Sequence, residues 1–310
     1  MPEKPIAPIL IAGPTASGKS AAALALARRL DGVVINADSM QVYSGLRVLT
    51  ARPSSQDEAQ APHRLYGFVS PAEAYSVGRW LEDVAAEIDA ARGAGRTPIL
   101  VGGTGLYFKA LLEGLAPVPD VPDDIRNRWR DEAARLTGAE LHAMLAERDP
   151  VMAARLQPQD PQRIVRALEV IEATGRSLSE WQQAPVMPVL ERREVRALVV
   201  APERETIYAR CDARFAAMIE AGALDEVAAL MALELDPRLP AMRALGVAAL
   251  MAHLRGEIGL EEAATQVKTE TRRYAKRQLT WLKSNMITWK WFVEKDMVSL
   301  VPQIFAFIDV

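Results

Sequence analysis

PILIAGPTASGKS, residues 8–20, joins a short apolar run to a glycine-rich loop, and its reading decides the fold. Pro8 to Ala12 is continuously apolar and stops at Gly13, the pattern of a parallel strand buried on both faces. Small and apolar residues then recur at helical spacing over 18–30. Between them, Gly13, Gly18, Lys19 and Ser20 satisfy G-x-x-x-x-G-K-[ST], with Pro14, Thr15, Ala16 and Ser17 as the intervening residues. A loop of this spacing wraps backbone N–H groups around an anionic oxygen cluster at a helix N-terminus. Lys19 adds a point charge for the phosphates, and the Ser20 hydroxyl is suited to Mg²⁺.

Working outward, VVINA at 33–37 reads as a second strand ending at Asp38-Ser39, and LYGFV at 65–69 as a weaker third. Residues 76–92 carry a helical period that stops at Gly93 and Gly95. TPILVGG at 97–103 is the next strand. Strands alternating with helices predict a parallel α/β sheet with crossover helices, a P-loop NTPase-like core. Pro117, Pro119 and Pro122 then break the pattern. From about 122 to 184 the period is helical throughout, and Pro185 and Pro188 close the stretch. Strand character returns in VRALVVA, 195–201. The chain is mostly helical after 203, with a long helix over about 260–284 and one more candidate strand in ITWKWF, 287–292. The predicted organisation is a core of 1–116 and 189–310, with an all-helical subdomain, 117–188, inserted into it.

Composition narrows the function classes. The net charge of −3 excludes a protein that coats nucleic acid through overall charge, though not a local basic site. One cysteine, Cys211, permits no internal disulfide and no Cys-rich zinc site. His63, His142 and His253 lie far apart and show no metal spacing. No apolar run reaches the roughly 18 residues of a membrane span. The first residues, MPEKPIAP, lack the basic start and long apolar stretch of a signal peptide. A soluble cytoplasmic protein is expected.

A phosphate loop ordinarily implies ATP or GTP, and nucleotide chemistry usually adds an acid at the end of another strand to hold the metal. The strand at 97–103 ends in Gly102-Gly103-Thr104-Gly105 with no carboxylate. The one well-placed acid is Asp38. From the residues alone it serves as that metal acid, as a base at the carboxyl end of the sheet, or as a turn cap.

Six stretches together resemble one family. GPTASGKS, NADSMQVYSGLRVLTARPS, APHRLYGFV, VGGTGLYFKALLEGL, DPQRIVRALEV and RRYAKRQLTWLKS look like motifs of the bacterial tRNA dimethylallyltransferases, in that family's order, and span residues 13 to 284. The resemblance implies that loop 13–20 holds the diphosphate of dimethylallyl diphosphate rather than a nucleotide. It implies as acceptor the exocyclic amine of adenosine 37, just 3′ of the tRNA anticodon, with free diphosphate released. Asp38 resembles the general base, Thr104 the residue near the reacting centre, and Arg210 in YARCDARF a diphosphate neighbour. Lys19 and a Ser20-bound Mg²⁺ are suited to the leaving group. Because no phosphoryl group moves, the missing acid after 97–103 is expected.

The same resemblance implies tRNA contacts at Asp38, Ser39, Met40 and Gln41, at Thr104, at Arg126, and at Gln162, Arg163, Ile164, Val165 and Arg166. Arg243 belongs to this group too. The final long helix is locally basic: Lys268, Arg272, Arg273, Lys276, Arg277 and Lys283 meet only Glu270 among acids. Arg273 and Arg277 share a helix face and are expected to meet RNA phosphates. One segment departs from the family, which usually carries Gly-Tyr, a basic residue and Glu where this chain reads Gly246-Val247-Ala248-Ala249. A monomer is expected. Competing readings are a small-molecule kinase, a prenyltransferase acting on free AMP, and a non-enzymatic RNA-binding protein.

Overall fold

The protein is described as a computed structural model, over residues 7–308. Six strands form one sheet: β1 (Ile9–Ala12), β2 (Gly32–Asn36), β3 (His63–Arg64), β4 (Thr97–Gly102), β5 (Arg196–Val200) and β6 (Lys290–Phe292). Their order across the sheet is β3-β2-β4-β1-β5-β6. Every pairing is parallel, as the alternation of strand and helix predicts. In register, Ile9 lies opposite Ile99 and Arg196, while Gly32 lies opposite Thr97.

The helices follow in chain order. α1 (Lys19–Arg29), α2 (Ser55–Gln60), α3 (Val77–Gly93) and α4 (Gly105–Glu113) accompany the first four strands. α5 (Asp123–Arg135), α6 (Gly138–Arg148), α7 (Pro150–Ala153), α8 (Pro161–Thr174) and α9 (Leu178–Gln182) come next. α10 (Arg204–Glu220), α11 (Ala223–Met231), α12 (Val247–Leu254), α13 (Leu260–Asn285) and α14 (Met297–Ile308) complete the described chain. Glu113–Pro188, which holds α5 to α9, is one compact unit, and the chain before and after it forms the other. The helical unit thus begins at Glu113 rather than at 117.

Period-two alternation builds a core on each face of the sheet. Leu10, Ala12, Val33, Ile35 and Leu100 pack with Trp80, Val84 and Ile88 of α3 on one face. Ile9, Ile11, Val34, Ile99 and Val101 pack with α1 and α14 on the other. The buried side of α1 is three alanines, Ala22, Ala23 and Ala27, with Leu26 as its one large side chain. Burying each Leu or Ile side chain here stabilises by about 1.5–3 kcal/mol. A further cluster joins Val42, Tyr43, Leu46 and Leu49 to α11, α12 and α13. The helical unit has its own core around Trp129, Leu145, Ile164 and Leu168.

LYGFV is not a strand. β3 is the preceding pair, His63–Arg64, and Val69 makes only an isolated bridge to Tyr43. Leu65 and Gly67 both have positive φ (62° and 59°), which turns the chain away from the sheet immediately after β3.

The sheet order sets the loops after β2, β4 and β1 side by side at its carboxyl edge, where open α/β sheets bind ligands. Gly102 makes that neighbourhood close. A Cβ there would sit 1.9 Å from the Ala37 carbonyl oxygen and 2.1 Å from its carbon. Both are rigid backbone atoms, so Gly102→Ala is expected to cost about 3 kcal/mol or more, at the high end for single substitutions. Urea unfolding of the purified variant measures this, and a loss below about 1 kcal/mol would contradict the packing described.

Candidate active site

The loop between β1 and α1 is set by its glycines. Gly13 lies where a Cβ would meet the Val200 carbonyl oxygen at 2.5 Å, and its N–H donates to the Gly102 carbonyl. Gly18, at φ 95°, turns the chain into α1. Ser17 is buried, and its Oγ accepts from the Lys19 N–H at 3.4 Å. The Lys19 Nζ donates to the Pro14 carbonyl at 3.1 Å, curling the side chain back over the loop. Burial lowers the Lys19 ammonium from its usual 10.5 to about 8, although the Asp38 carboxylate pulls the other way.

Asp38 is held by a buried neighbour. Asn36 Oδ1 accepts the Asp38 N–H at 2.8 Å, and Asn36 Nδ2 donates to the carbonyls of Asp38 (2.9 Å) and Leu65 (3.0 Å). Trp80 Nε1 donates to the Asn36 carbonyl. Asp38 Oδ1 accepts the Met40 N–H at 3.0 Å, so the turn-cap role is real. Oδ2 carries no such bond among the described residues and lies toward Gly103. Thr104 is fixed from the other side. Its N–H donates to the Ala37 carbonyl at 3.3 Å, and its Oγ1 accepts the Ser39 N–H at 2.9 Å.

Asp38, Ser39, Met40, Thr15, Arg243 and Arg277 line one cavity of about 300 Å³. The Asp38 charge reaches Lys19, Arg214 and the hydroxyls of Tyr66, Tyr107 and Tyr274. Burial first, and that carboxylate second, push all three tyrosines well above the usual phenol range, so they are neutral donors. Leu49, Phe215, Met218 and Val267 give the same cavity an apolar lining. The cavity thus combines a phosphate loop, a carboxylate, cationic side chains and an apolar wall.

Several expected residues take other places. Arg210 donates to the carbonyls of Ala16 (3.4 Å) and Ser17 (3.2 Å) and to that of Lys295, bracing the loop from behind. It is Arg214, one turn further along α10, that lines the cavity and donates to the Thr15 hydroxyl. Ser20 lines a neighbouring cavity of about 290 Å³ with Arg28, Arg52 and Asp57. Gln41 does not line the first cavity; its amide donates to the carbonyls of Thr50 (2.8 Å) and Ala51 (3.0 Å). On α13, Arg273, Lys276 and Arg277 lie along an exposed groove with Trp281, whereas Arg272 is ion-paired with Asp212 at 3.1 Å.

In the helical unit, Gln162 and Arg163 are exposed at the start of α8, and Arg163 pairs with Asp160. Arg166 is half-buried beside Glu169, and Arg126 pairs with Asp123. Ile164 and Val165 are buried in that unit's core, so the side chains that this segment presents at the surface are Gln162, Arg163 and Arg166. In the departing segment, Val247 and Ala249 are core residues of α12 and only Ala248 faces outward.

Three residues that sequence reading passed over shape the site, Asn36, Arg214 and Glu226, while Gln278, expected with Tyr274 and Trp281 beside RNA, is instead buried against the loop. Glu226 of α11 accepts the N–H groups of Arg47, Val48 (2.9 Å) and Leu49 (2.8 Å), seating the loop that carries Leu49. Arg214 had a signal, since it follows Arg210 by four positions in YARCDARF. Asn36 immediately precedes Ala37-Asp38 at a strand end, where a buried amide is unusual.

Comparison with known proteins adds the following. The family model described as IPP transferase matches residues 41–285, and that described as isopentenyl transferase matches residues 7–70. The tRNA dimethylallyltransferase of Parvibaculum lavamentivorans is 54% identical over 301 residues, covering 97% of this chain and 95% of the relative. That of Nitrobacter hamburgensis is 56% identical, covering 91% and 89%. Among solved structures, the full-length tRNA isopentenylpyrophosphate transferase of Bacillus halodurans superposes with a TM-score of 0.70 at 32% identity, over 98% of this chain and 96% of that one. A eukaryotic dimethylallyltransferase described as acting on tRNA gives 0.80 at 27% identity, over 96% and 77%. Matched by the family model along most of its length and more than half identical to relatives nearly end to end, this chain belongs to the IPP transferase family of tRNA dimethylallyltransferases.

Proposed function

We propose that this protein transfers the dimethylallyl group of dimethylallyl diphosphate to the exocyclic amine of adenosine 37 in tRNA. The observation that carries the reading is the meeting, in one cavity, of Thr15 of the phosphate loop with Asp38 and Ser39, the residue to which Thr104 is hydrogen-bonded. A hydrolase or kinase needs a metal-holding acid opposite the loop. Here the carboxylate shares its cavity with the apolar side chains of Leu49, Phe215, Met218 and Val267.

The bond between the allylic carbon and the diphosphate oxygen breaks while the amine nitrogen bonds to that carbon. The amine's proton passes to Asp38 Oδ2, the oxygen not spent on Met40. An aromatic amine is a poor nucleophile, so losing its proton as the bond forms assists attack. Lys19, Arg214 and the loop amides neutralise the departing diphosphate, and Arg210 keeps the loop in shape from outside. Thr104, tied to Ser39, holds the acceptor edge of the site. Leu49, Phe215, Met218 and Val267 enclose the dimethylallyl group and keep water from the allylic cation.

Among the described residues there is no group of three or more metal-ligating side chains. That suits Mg²⁺, which favours one or two protein ligands together with substrate phosphates. Ser20, which lines the neighbouring cavity, is the residue that would hold it, and it would supply charge neutralisation to the leaving group.

The adenine must leave its stack to reach Asp38, at a cost of a few kcal/mol. Arg243 and Arg277 at the cavity, and Arg273 with Lys276 beside it, offer phosphate contacts that hold the opened loop. Gln162, Arg163, Arg166 and Arg126 of the helical unit are assigned to the rest of the anticodon arm. We take the protein to act as a cytoplasmic monomer; among the described residues no helix is long and apolar enough to cross a membrane.

Purified protein with Mg²⁺ and labelled dimethylallyl diphosphate is expected to label an anticodon stem-loop and leave AMP unlabelled. Label in AMP, or ATP consumption in place of prenyl transfer, would contradict the reading. In the same assay Asp38→Asn is expected to slow single-turnover transfer about 10²–10⁴-fold with stem-loop affinity within threefold. Equal losses in rate and affinity would make Asp38 an RNA-positioning residue only. The Lys19 ammonium, lowered to about 8, binds the diphosphate as the cation. Pyrophosphate affinity is therefore expected to hold up to about pH 7 and fall about tenfold by pH 9. Lys19→Arg should flatten that decline, and a flat wild-type profile would contradict the assignment.

A further inference from the structure

Gln278 is a buried amide on α13 that reaches into the catalytic edge of the sheet. Its Oε1 accepts the Thr15 N–H of the phosphate loop at 2.8 Å. Its Nε2 donates to the Gly103 carbonyl, next to Thr104, at 2.9 Å. Only 7% of the residue is exposed. One orientation of the amide satisfies both partners, because Thr15 offers only a donor and Gly103 only an acceptor. A Cβ at Gly103 would sit 2.3 Å from Nε2 and displace the Gln278 amide. One turn on, Trp281 lies against Gly105 as closely, 2.0 Å from where a Cβ would be.

We propose that Gln278 is a positioning residue that sets the separation between the leaving-group loop and the acceptor-side turn, and ties both to α13. This rests on the prenyl-transfer reading above. Thr15 is then fixed at two points, its N–H by Gln278 and its hydroxyl by Arg214. Gly103–Thr104 is fixed by Gln278 and by the Ala37 carbonyl. The adjacent residue, Arg277, lines the cavity and the outer groove alike, so the helix that carries the RNA-facing cations also holds the phosphate loop in register. A purely packing residue of this volume needs no polar end. An amide with both ends used across two loops is what alignment of two reactants requires.

The test compares Gln278→Leu and Gln278→Glu with the wild type. Pyrophosphate affinity is read by calorimetry, stem-loop affinity by direct binding, and transfer by single turnover. Gln278→Leu is expected to weaken pyrophosphate at least fivefold and slow transfer at least tenfold, with stem-loop affinity within twofold. In Gln278→Glu, a protonated carboxyl reproduces both hydrogen bonds, while the ionised form opposes the Gly103 carbonyl. Its transfer rate relative to wild type is therefore expected to rise at least fivefold from pH 8 to pH 6, whereas the Leu variant's ratio stays flat. A packing role would leave both ratios independent of pH. Overturning results are a Leu variant within threefold of wild type in both pyrophosphate affinity and rate, or a flat ratio for the Glu variant. If the wild type transfers nothing, the function is wrong, and the same pH comparison of pyrophosphate affinity still decides the role of Gln278.

Discussion

Close approach of backbone to backbone and to side chains at the end of β4 is the constraint on which the site depends. Gly102 lets the end of β4 meet Ala37, Gly103 admits Gln278, and Gly105 admits Trp281. A side chain at Gly102 would push β2 and β4 apart, and one at Gly103 or Gly105 would displace the Gln278 or Trp281 side chain. Then Thr104 would lose Ser39, the phosphate loop would lose its anchor, and Asp38 would no longer share a cavity with Arg214 and Thr15. The glycine-rich run after β4 is therefore not a second phosphate loop. It is a surface made bare so that three elements can converge.

Charge in the cavity is arranged in the same economical way. Asp38 has one oxygen committed to its own turn and one directed inward. Its carboxylate is balanced by Lys19 and Arg214 and surrounded by neutral tyrosines. Cations already desolvated interact more strongly with an anion than they would in water. Outside, Arg273 and Lys276 stay solvated, where a cation acts by long-range attraction.

Much of the fold was legible because buried parallel strands write continuous apolar runs, and β1, β2, β4 and β5 do so. β3 was misplaced because LYGFV has strand composition, while the positive φ of Leu65 and Gly67 is a property of the folded turn. The phosphate loop and Asp38 were legible as motifs. Arg214 was not, because α10 turns Arg210 behind the loop and Arg214 into the cavity, and helix phase against a loop is set by tertiary packing. Gln278 lies 263 residues from Thr15 and 175 from Gly103, so no local pattern connects them. Ile164 and Val165 sit inside a motif whose neighbours are exposed, and helical periodicity is what separates them: they face the core while Gln162 and Arg163 face out.

The most direct test of the central claim is a structure of this protein with pyrophosphate and an anticodon stem-loop bound together. The account predicts pyrophosphate in the loop against Lys19 and Arg214, and one unstacked adenine with its exocyclic amine within hydrogen-bond reach of Asp38 Oδ2, both in the same cavity. An adenine held elsewhere, or a diphosphate site that the stem-loop does not approach, would contradict it.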